Sequence, residues 1–255
     1  MPEHSNWLTV LLEHFRSTLE HNAHHLGQSF VGKQEPTWQS WQPLIAALVV
    51  FVLLFLIAGS VRARLSDTDK AVIPEDKLTL RTFIETFLGY FYDLCKSVMG
   101  PERAKKYFHV VAGSALFVFV SNVLALIPGA PVATSNLNIT FGCAAVVFLL
   151  FNLYGLQTNG MAYIKHLAGP KWWLAPLIFP IEIISLCVRP VTLSVRLMMN
   201  MSVDHIVLGT FMGLIAVVVP LPVMLLGVLV IVIQTLVFSL LTAIYIGLAT
   251  EHEEH

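Results

Sequence analysis

The chain has 255 residues, 56% of them hydrophobic and only 12% charged, with a formal net charge of −1. A soluble domain carries about 25% charged residues, so this shortage argues against a water-soluble enzyme and points to lipid as the solvent for much of the chain. The charge balance carries no nucleic-acid signal, because phosphate binding needs a basic footprint.

In chain order, the first 40 residues are polar and rich in histidine. They lack the short basic-then-apolar opening of a cleaved signal peptide, so targeting is read from the first spanning helix. Residues 6–20 (NWLTVLLEHFRSTLE) alternate as an amphipathic, interfacial helix would, and residues 1–42 read as an external amphipathic segment. An apolar run of about 20 residues is long enough to cross a hydrocarbon core roughly 30 Å thick. Pro43–Val61 is the first such run and ends against Arg62 and Arg64. The segment Leu78–Met99 mixes Phe83, Phe87, Leu88, Phe91 and Tyr92 with Arg81, Glu85, Asp93 and Lys96. That mixture suits an interfacial helix or a partly buried hairpin arm, and residues 43–106 form one region with the first span.

Tyr107–Ile127 and Leu137–Leu156 are the second and third spans. From Trp172 to Thr250 the chain is almost continuously apolar, interrupted only near Val217–Pro222. This stretch reads as two long, tilted helices joined by a hairpin at Pro220 and Pro222. The expected fold is therefore an all-α integral membrane protein of about five transmembrane helices plus interfacial amphipathic helices. Residues 107–255, with the last four spans, form its helical core.

Loop charge sets the orientation. Nine of the 15 Lys and Arg residues lie between the first and second spans, and Lys165 and Lys171 follow the third. The loop at 128–136 and the final hairpin have none. The positive-inside rule then places residues 62–106 and 157–171 in the cytoplasm, the N-terminus outside and the C-terminal EHEEH inside.

Arg16 and Lys33 precede the first span, and the last two, Arg189 and Arg196, both fall within the long apolar stretch together with Glu182 and Asp204. A charge at that depth costs about 2.5–3.5 kcal/mol on insertion scales, so it marks function or a buried partner. At 100° per residue, Glu182, Arg189, Arg196, Asn200 and Asp204 share an arc of about 80°, and His205 sits about 140° from Glu182. Such a seam faces protein or water rather than lipid. Glu182 and Arg189, two turns apart, also fit a structural or pathway-lining pair. Arg196 has Thr192, Leu193, Met199 and Asn200 as its near neighbours and no carboxylate among them, so it looks to another helix or another protein for a partner. On the last helix Gln234, Thr235, Ser239, Thr242 and Tyr245 are polar. Ser239 and Thr242 read as ordinary interhelical hydrogen bonds, whereas Gln234 would face Arg196 in an antiparallel hairpin.

PVTLSVRLMMNMSVDHIV (190–207), followed by IVIQTLVFSLLTAIYIGLATEHEEH (231–255), resembles the two-helix signature of the subunit a family of F-type ATP synthases. SNVLALIPG (121–129) and TSNLNIT (134–140) resemble that family's second- and third-span motifs, and the likeness covers roughly residues 70–255. The resemblance implies a stator subunit of a proton channel in the bacterial inner membrane, with two half-channels leading to and from a ring of c subunits. It implies that Arg196 faces the ring, that Asn200 and Gln234 lie beside it, that Glu182 lines the ion pathway and that Tyr245 stands near its cytoplasmic end. Asn122 and Asn138, in the two upstream motifs, are secondary candidates with Arg189. Many bacterial relatives carry Glu at the position of His205 and His seven residues before the Gln; here those positions hold His205 and Gly227. Asp204 with His205 is the candidate replacement on the outer half-channel. Implied partners are the c-ring, the subunit b peripheral stalk, the remaining synthase subunits and the bilayer.

The carried ion is expected to be a proton, with sodium the lesser candidate, and no cofactor is expected. A phosphate-cradling GxxxxGK[ST] motif is absent, so the chain by itself is not expected to be an enzyme. His21, His24 and His25, or His252 and His255, lack a third ligand of another type at fixed spacing, which argues against a metal site. Cys95, Cys143 and Cys187 are too scattered for a disulfide frame and read as small buried hydrophobes. Two other classes make different demands on the sequence. A self-contained ion-coupled secondary transporter would show internal repeats and helices broken near the midplane. A non-catalytic scaffold would have no use for an arginine without a partner.

Overall fold

A computed structural model describes residues 41–65, 79–127, 133–160, 163, 175–214 and 220–250. The amphipathic stretch 6–20, both histidine clusters and the acidic tail lie outside these residues. The described residues form six α-helices and one short 3-10 turn: α1 (Gln42–Leu65), α2 (Leu80–Met99), α3 (Pro101–Ala125), the turn Ala133–Ser135, α4 (Leu137–Asn159), α5 (Ala175–Leu214) and α6 (Pro220–Ala249). Five of them, all but α2, are long and apolar enough to cross a membrane.

Outward-facing bulk confirms the solvent. Phe55 is 81% exposed, and Leu48, Phe51 and Leu56 on α1 are each at least 60% exposed. Water would penalise such surface at about 25 cal/mol per Å². Lipid tails do not.

The segment α2 keeps the amphipathic character expected of it. Ile84, Phe91, Cys95 and Met99 turn inward, while Glu85, Asp93 and Lys96 stay exposed. Arg81 is buried and pairs with Glu85 at 2.8 Å one turn on. The helix opens on Thr79, whose hydroxyl accepts from the Thr82 N–H at 3.4 Å. It closes on Gly100, whose φ of 81° lies in the left-handed region a side chain would resist, and whose N–H bonds the Lys96 carbonyl. Pro101 then starts α3, where its missing N–H costs nothing. That tight junction makes α2 and α3 consecutive arms of one hairpin.

Several boundaries differ from the sequence reading, and α1 itself continues through Arg62 and Arg64 to Leu65. Helix α3 begins at Pro101 rather than Tyr107, because hydropathy ends at the membrane edge whereas backbone hydrogen bonding continues through Glu102–Lys106. Helix α4 likewise runs on to Asn159. Pro220 and Pro222 occupy the first turn of α6 instead of the connection before it, a position where proline is tolerated. Helix α5 carries Pro180 and Pro190 internally and continues through both for 40 residues.

The chain packs as two compact units, each built from three stretches. The first takes the chain up to Phe51, Phe117–Ala144 and Thr192–Thr235; the second takes Val52–Leu116, Ala145–Val191 and Leu236 onward. In the first, Ala125, Met201 and Ile231 form a small core, and Ala46 and Ala47 pack with Ala133. In the second, Cys95, Met99, Tyr107, Val111, Phe151 and Ile246 form a larger one. There the last turn of α6 is held from two helices, α3 and α4. The Arg103 guanidinium donates to the Gly247 carbonyl at 3.3 Å, and the Asn159 amide donates to the Ala249 carbonyl at 3.2 Å. Carbonyls that a helix end leaves unpaired are thereby satisfied. Gly155 permits the approach, since a Cβ there would lie 3.0 Å from the Ala249 carbonyl oxygen.

Candidate functional site

The polar seam on α5 runs along the border between that helix's buried and exposed faces. Leu186, Leu193, Leu197, Met201 and Leu208 turn inward, while Val188, Val191, Val195, Met199 and Val203 turn outward. Between them lie Glu182, Arg189, Asn200 and Asp204, all half-buried, and Arg196, which is exposed. A helix that buries one apolar stripe and offers a second to lipid has only these two borders on which to carry charge.

In the first unit Arg196 points outward and has no hydrogen-bond or ion-pair partner among the described residues. One turn on, the Asn200 amide nitrogen donates to Gln234 Oε1 at 2.7 Å. Gln234 is 3% exposed, so its expected position opposite Arg196 resolves into a direct bond with Asn200 instead. Its Nε2 stays without a partner among the described residues. The amide of Asn122 is fully buried and its Oδ1 accepts from the Thr134 hydroxyl at 3.2 Å. The Ser202 hydroxyl reaches the Ser135 carbonyl at 3.4 Å.

Asn122, Asp204, His205, Gly227 and Ile231 line a cavity of about 30 Å³, enough for about one water molecule. Asn122 Nδ2 has no partner there among the described residues. His205 lies off the seam in projection, yet it opens on the same cavity as Asp204. Three helices wall the cavity, so it reaches round α5 and takes in two consecutive residues. The imidazole also faces the Ala125 backbone carbonyl. Gly227 keeps the wall thin, because a Cβ at this position would meet Leu126 at 3.2 Å.

In the second unit the Arg189 guanidinium sits 5.0 Å above the Tyr245 ring. Cation–π contact of this kind accounts for a buried-edge arginine without invoking Glu182 as its only partner. Tyr163, which the sequence did not single out, donates its hydroxyl to Asn152 Oδ1 at 3.0 Å. Burial pushes that hydroxyl above the usual tyrosine range, the Arg189 charge pulls it down and the Glu182 charge pushes it up. The three groups therefore lie within electrostatic reach of one another. Tyr163 falls in a basic loop without hydrophobic periodicity, so only packing could bring it forward. Asn138 stands apart from both groups, with an exposed side chain. It is Asn136 that caps α4, its Oδ1 accepting from the Asn138 N–H at 2.9 Å.

No group of three His, Cys, Asp or Glu able to hold a metal occurs among the described residues. Cysteine burial is graded rather than uniform: Cys95 is buried, Cys143 intermediate and Cys187 exposed. The last corrects the expectation of three buried thiols. Its cause is the lipid-facing side of α5, which is as apolar as a core yet open.

Comparison with known proteins agrees with a membrane-spanning, all-helical chain. The ATP synthase A chain family matches residues 40–247. The ATP synthase subunit a of Sorangium cellulosum is 56% identical over 255 residues, covering 100% of both chains. ATP synthase subunit a 1 of Syntrophotalea carbinolica is 38% identical over 246 residues, 96% of each chain. The Geobacter sulfurreducens subunit a is 47% identical over 167 residues, which are 66% of this chain and 72% of its own. The motifs, the five apolar helices and these relatives agree: the chain belongs to the ATP synthase A chain family.

Proposed function

We propose that the chain is the membrane-sector stator subunit that passes protons to and from the c-ring of a bacterial rotary ATP synthase through two offset half-channels. The observation that carries this reading is the exposed guanidinium of Arg196 on an apolar helix face, without a partner among the described residues. Its neighbour Asn200 is held by Gln234 at 2.7 Å. A guanidinium keeps its charge in an apolar setting where an ammonium would surrender it. It attracts an ionised carboxylate brought past it, favours that charged form and blocks direct passage between the half-channels.

The cavity with Asp204, His205 and Asn122 supports the outer half-channel, since it offers two titratable groups and an open amide donor around space for a water. Glu182, Arg189, Tyr245 and Tyr163 support the inner one. The C-terminus lies in the cytoplasm and the N-terminus outside in this reading, which rests on the basic loops. Nucleotide chemistry resides in partner subunits, subunit b contributes the peripheral stalk, and the carried ion is a proton rather than sodium.

Proteoliposomes carrying the whole complex test it. Arg196→Ala is expected to abolish ATP-driven acidification and ATP synthesis while passive proton conductance rises. Retained pumping by the alanine variant would refute the assignment. Pumping that depends on sodium would instead overturn the choice of ion.

A further inference from the structure

We infer that the first turns of α3, with Tyr154 of α4, form a binding surface for the headgroup of an anionic phospholipid. Lys105, Lys106 and His109 are all exposed and follow one another at i, i+1 and i+4, so they share one side of α3. Neither lysine has an ion-pair partner among the described residues, although Glu102 is one turn away. The Lys106 ammonium is steadied 5.2 Å above the Tyr107 ring. His109 Nε2 meets the Tyr154 hydroxyl at 3.2 Å, joining α3 to α4 at the level where charge gives way to apolar sequence.

Beyond that bond the surface changes character. One turn further on, Gly113 is exposed, and a Cβ there would meet nothing within 4 Å. On α4, Leu153 is 50% exposed. Polar donors, an aromatic–imidazole step and then open apolar surface follow one another along the helix axis, which is the order of a phospholipid from phosphate to acyl chain. Lysines this near a membrane surface attract anionic headgroups, and the basic loop rule puts them on the leaflet that carries such lipids. The charge selects a phospholipid with a net negative headgroup over a zwitterionic one. The surface rests on the helices and their membrane setting, not on the proton pathway.

The test uses the whole complex in nanodiscs of phosphatidylcholine with one-fifth phosphatidylglycerol, followed by detergent washing and mass-spectrometric counting of retained lipid. The pair Lys105→Gln and Lys106→Gln is expected to weaken phosphatidylglycerol retention by on the order of thirtyfold, about fivefold per lysine, from the roughly 1 kcal/mol each basic residue contributes at an anionic surface. The pair Lys105→Arg and Lys106→Arg is expected to retain it. Should the glutamine pair fail to assemble, Lys106→Gln alone is read for its fivefold share. Unchanged phosphatidylglycerol retention in the glutamine variants would overturn the inference, as would equal retention of phosphatidylcholine. Release of the lipid by millimolar inorganic phosphate would identify a free-anion site and overturn the lipid assignment. ATP-driven pumping is read alongside, so a defect in ion transport is distinguished from lost lipid.

Discussion

Replacing Gln234 with Leu removes the acceptor that holds Asn200 at 2.7 Å, in a place where Gln234 is only 3% exposed. The lost oxygen leaves the half-buried Asn200 amide without its partner, at a cost of about 1–3 kcal/mol. Two features of the site bound that figure. Gln234 Nε2 has no partner among the described residues, so the leucine also relieves an existing penalty and pulls the net cost toward the lower end. Interhelical hydrogen bonds in membranes couple by about 0.6 kcal/mol on average and about 1.7 at most. The double variant Asn200→Leu with Gln234→Leu is therefore expected to be more stable than the sum of the two single losses, by about 0.6–1.7 kcal/mol. Reversible unfolding of the purified chain in mixed detergent micelles, followed by tryptophan fluorescence, gives all four stabilities. Additive single losses would refute a direct bond between the two amides and leave Gln234 free to face Arg196 instead.

Gly155→Ala is expected to destabilise the chain by about 1–3 kcal/mol, because its Cβ would lie 3.0 Å from a backbone oxygen that cannot easily retreat. Gly142→Ala, where a Cβ meets nothing within 4 Å, is expected to be neutral or stabilising by up to about 1 kcal/mol. Equal thermal shifts for the two would contradict the close approach of α4 to α6. Arg103→Ala and Asn159→Ala each remove a donor from the last turn of α6. Hydrogen exchange at Ala249 and Thr250 is expected to quicken in both, by roughly five- to tenfold for about 1 kcal/mol of local opening; unchanged protection would deny the clamp. Labelling of the chain in detergent by an apolar, micelle-permeant thiol reagent should be faster at Cys187 than at Cys95. Burial pushes the Cys95 thiol up to about 11, so at pH 9 roughly one molecule in a hundred carries the reactive thiolate. Prompt labelling of Cys95 at pH 9 would count against its buried position in the core with Met99 and Val111.

The spans α1, α4, α5 and α6 were legible because hydropathy is read residue by residue and a membrane demands a fixed length of it. The amphipathic α2 was legible from its mixture of aromatic and charged residues, and the seam on α5 from helical spacing alone. Boundaries in charged sequence were not. Helix α3 continues through Lys105 and Lys106 because backbone pairing does not end where lipid does. Burial of the thiols was misread because a lipid-facing position such as Cys187 has the same composition as a core position.

By itself, then, the sequence determined the solvent, the number of spanning helices, the family and the line on which Arg196, Asn200 and Asp204 lie. Each of those is assembled from short stretches that are read along the chain one helix at a time. The tertiary structure alone decided that Gln234 bonds Asn200, that Asp204 and His205 open on one cavity with Asn122, and that Tyr163 lies within the field of Arg189 and Glu182. Those relations join side chains from different helices, in the first case 34 residues apart. Helix–helix register depends on which small residues let two backbones approach, as Gly155 does beneath Ala249, and no periodicity along one helix encodes it.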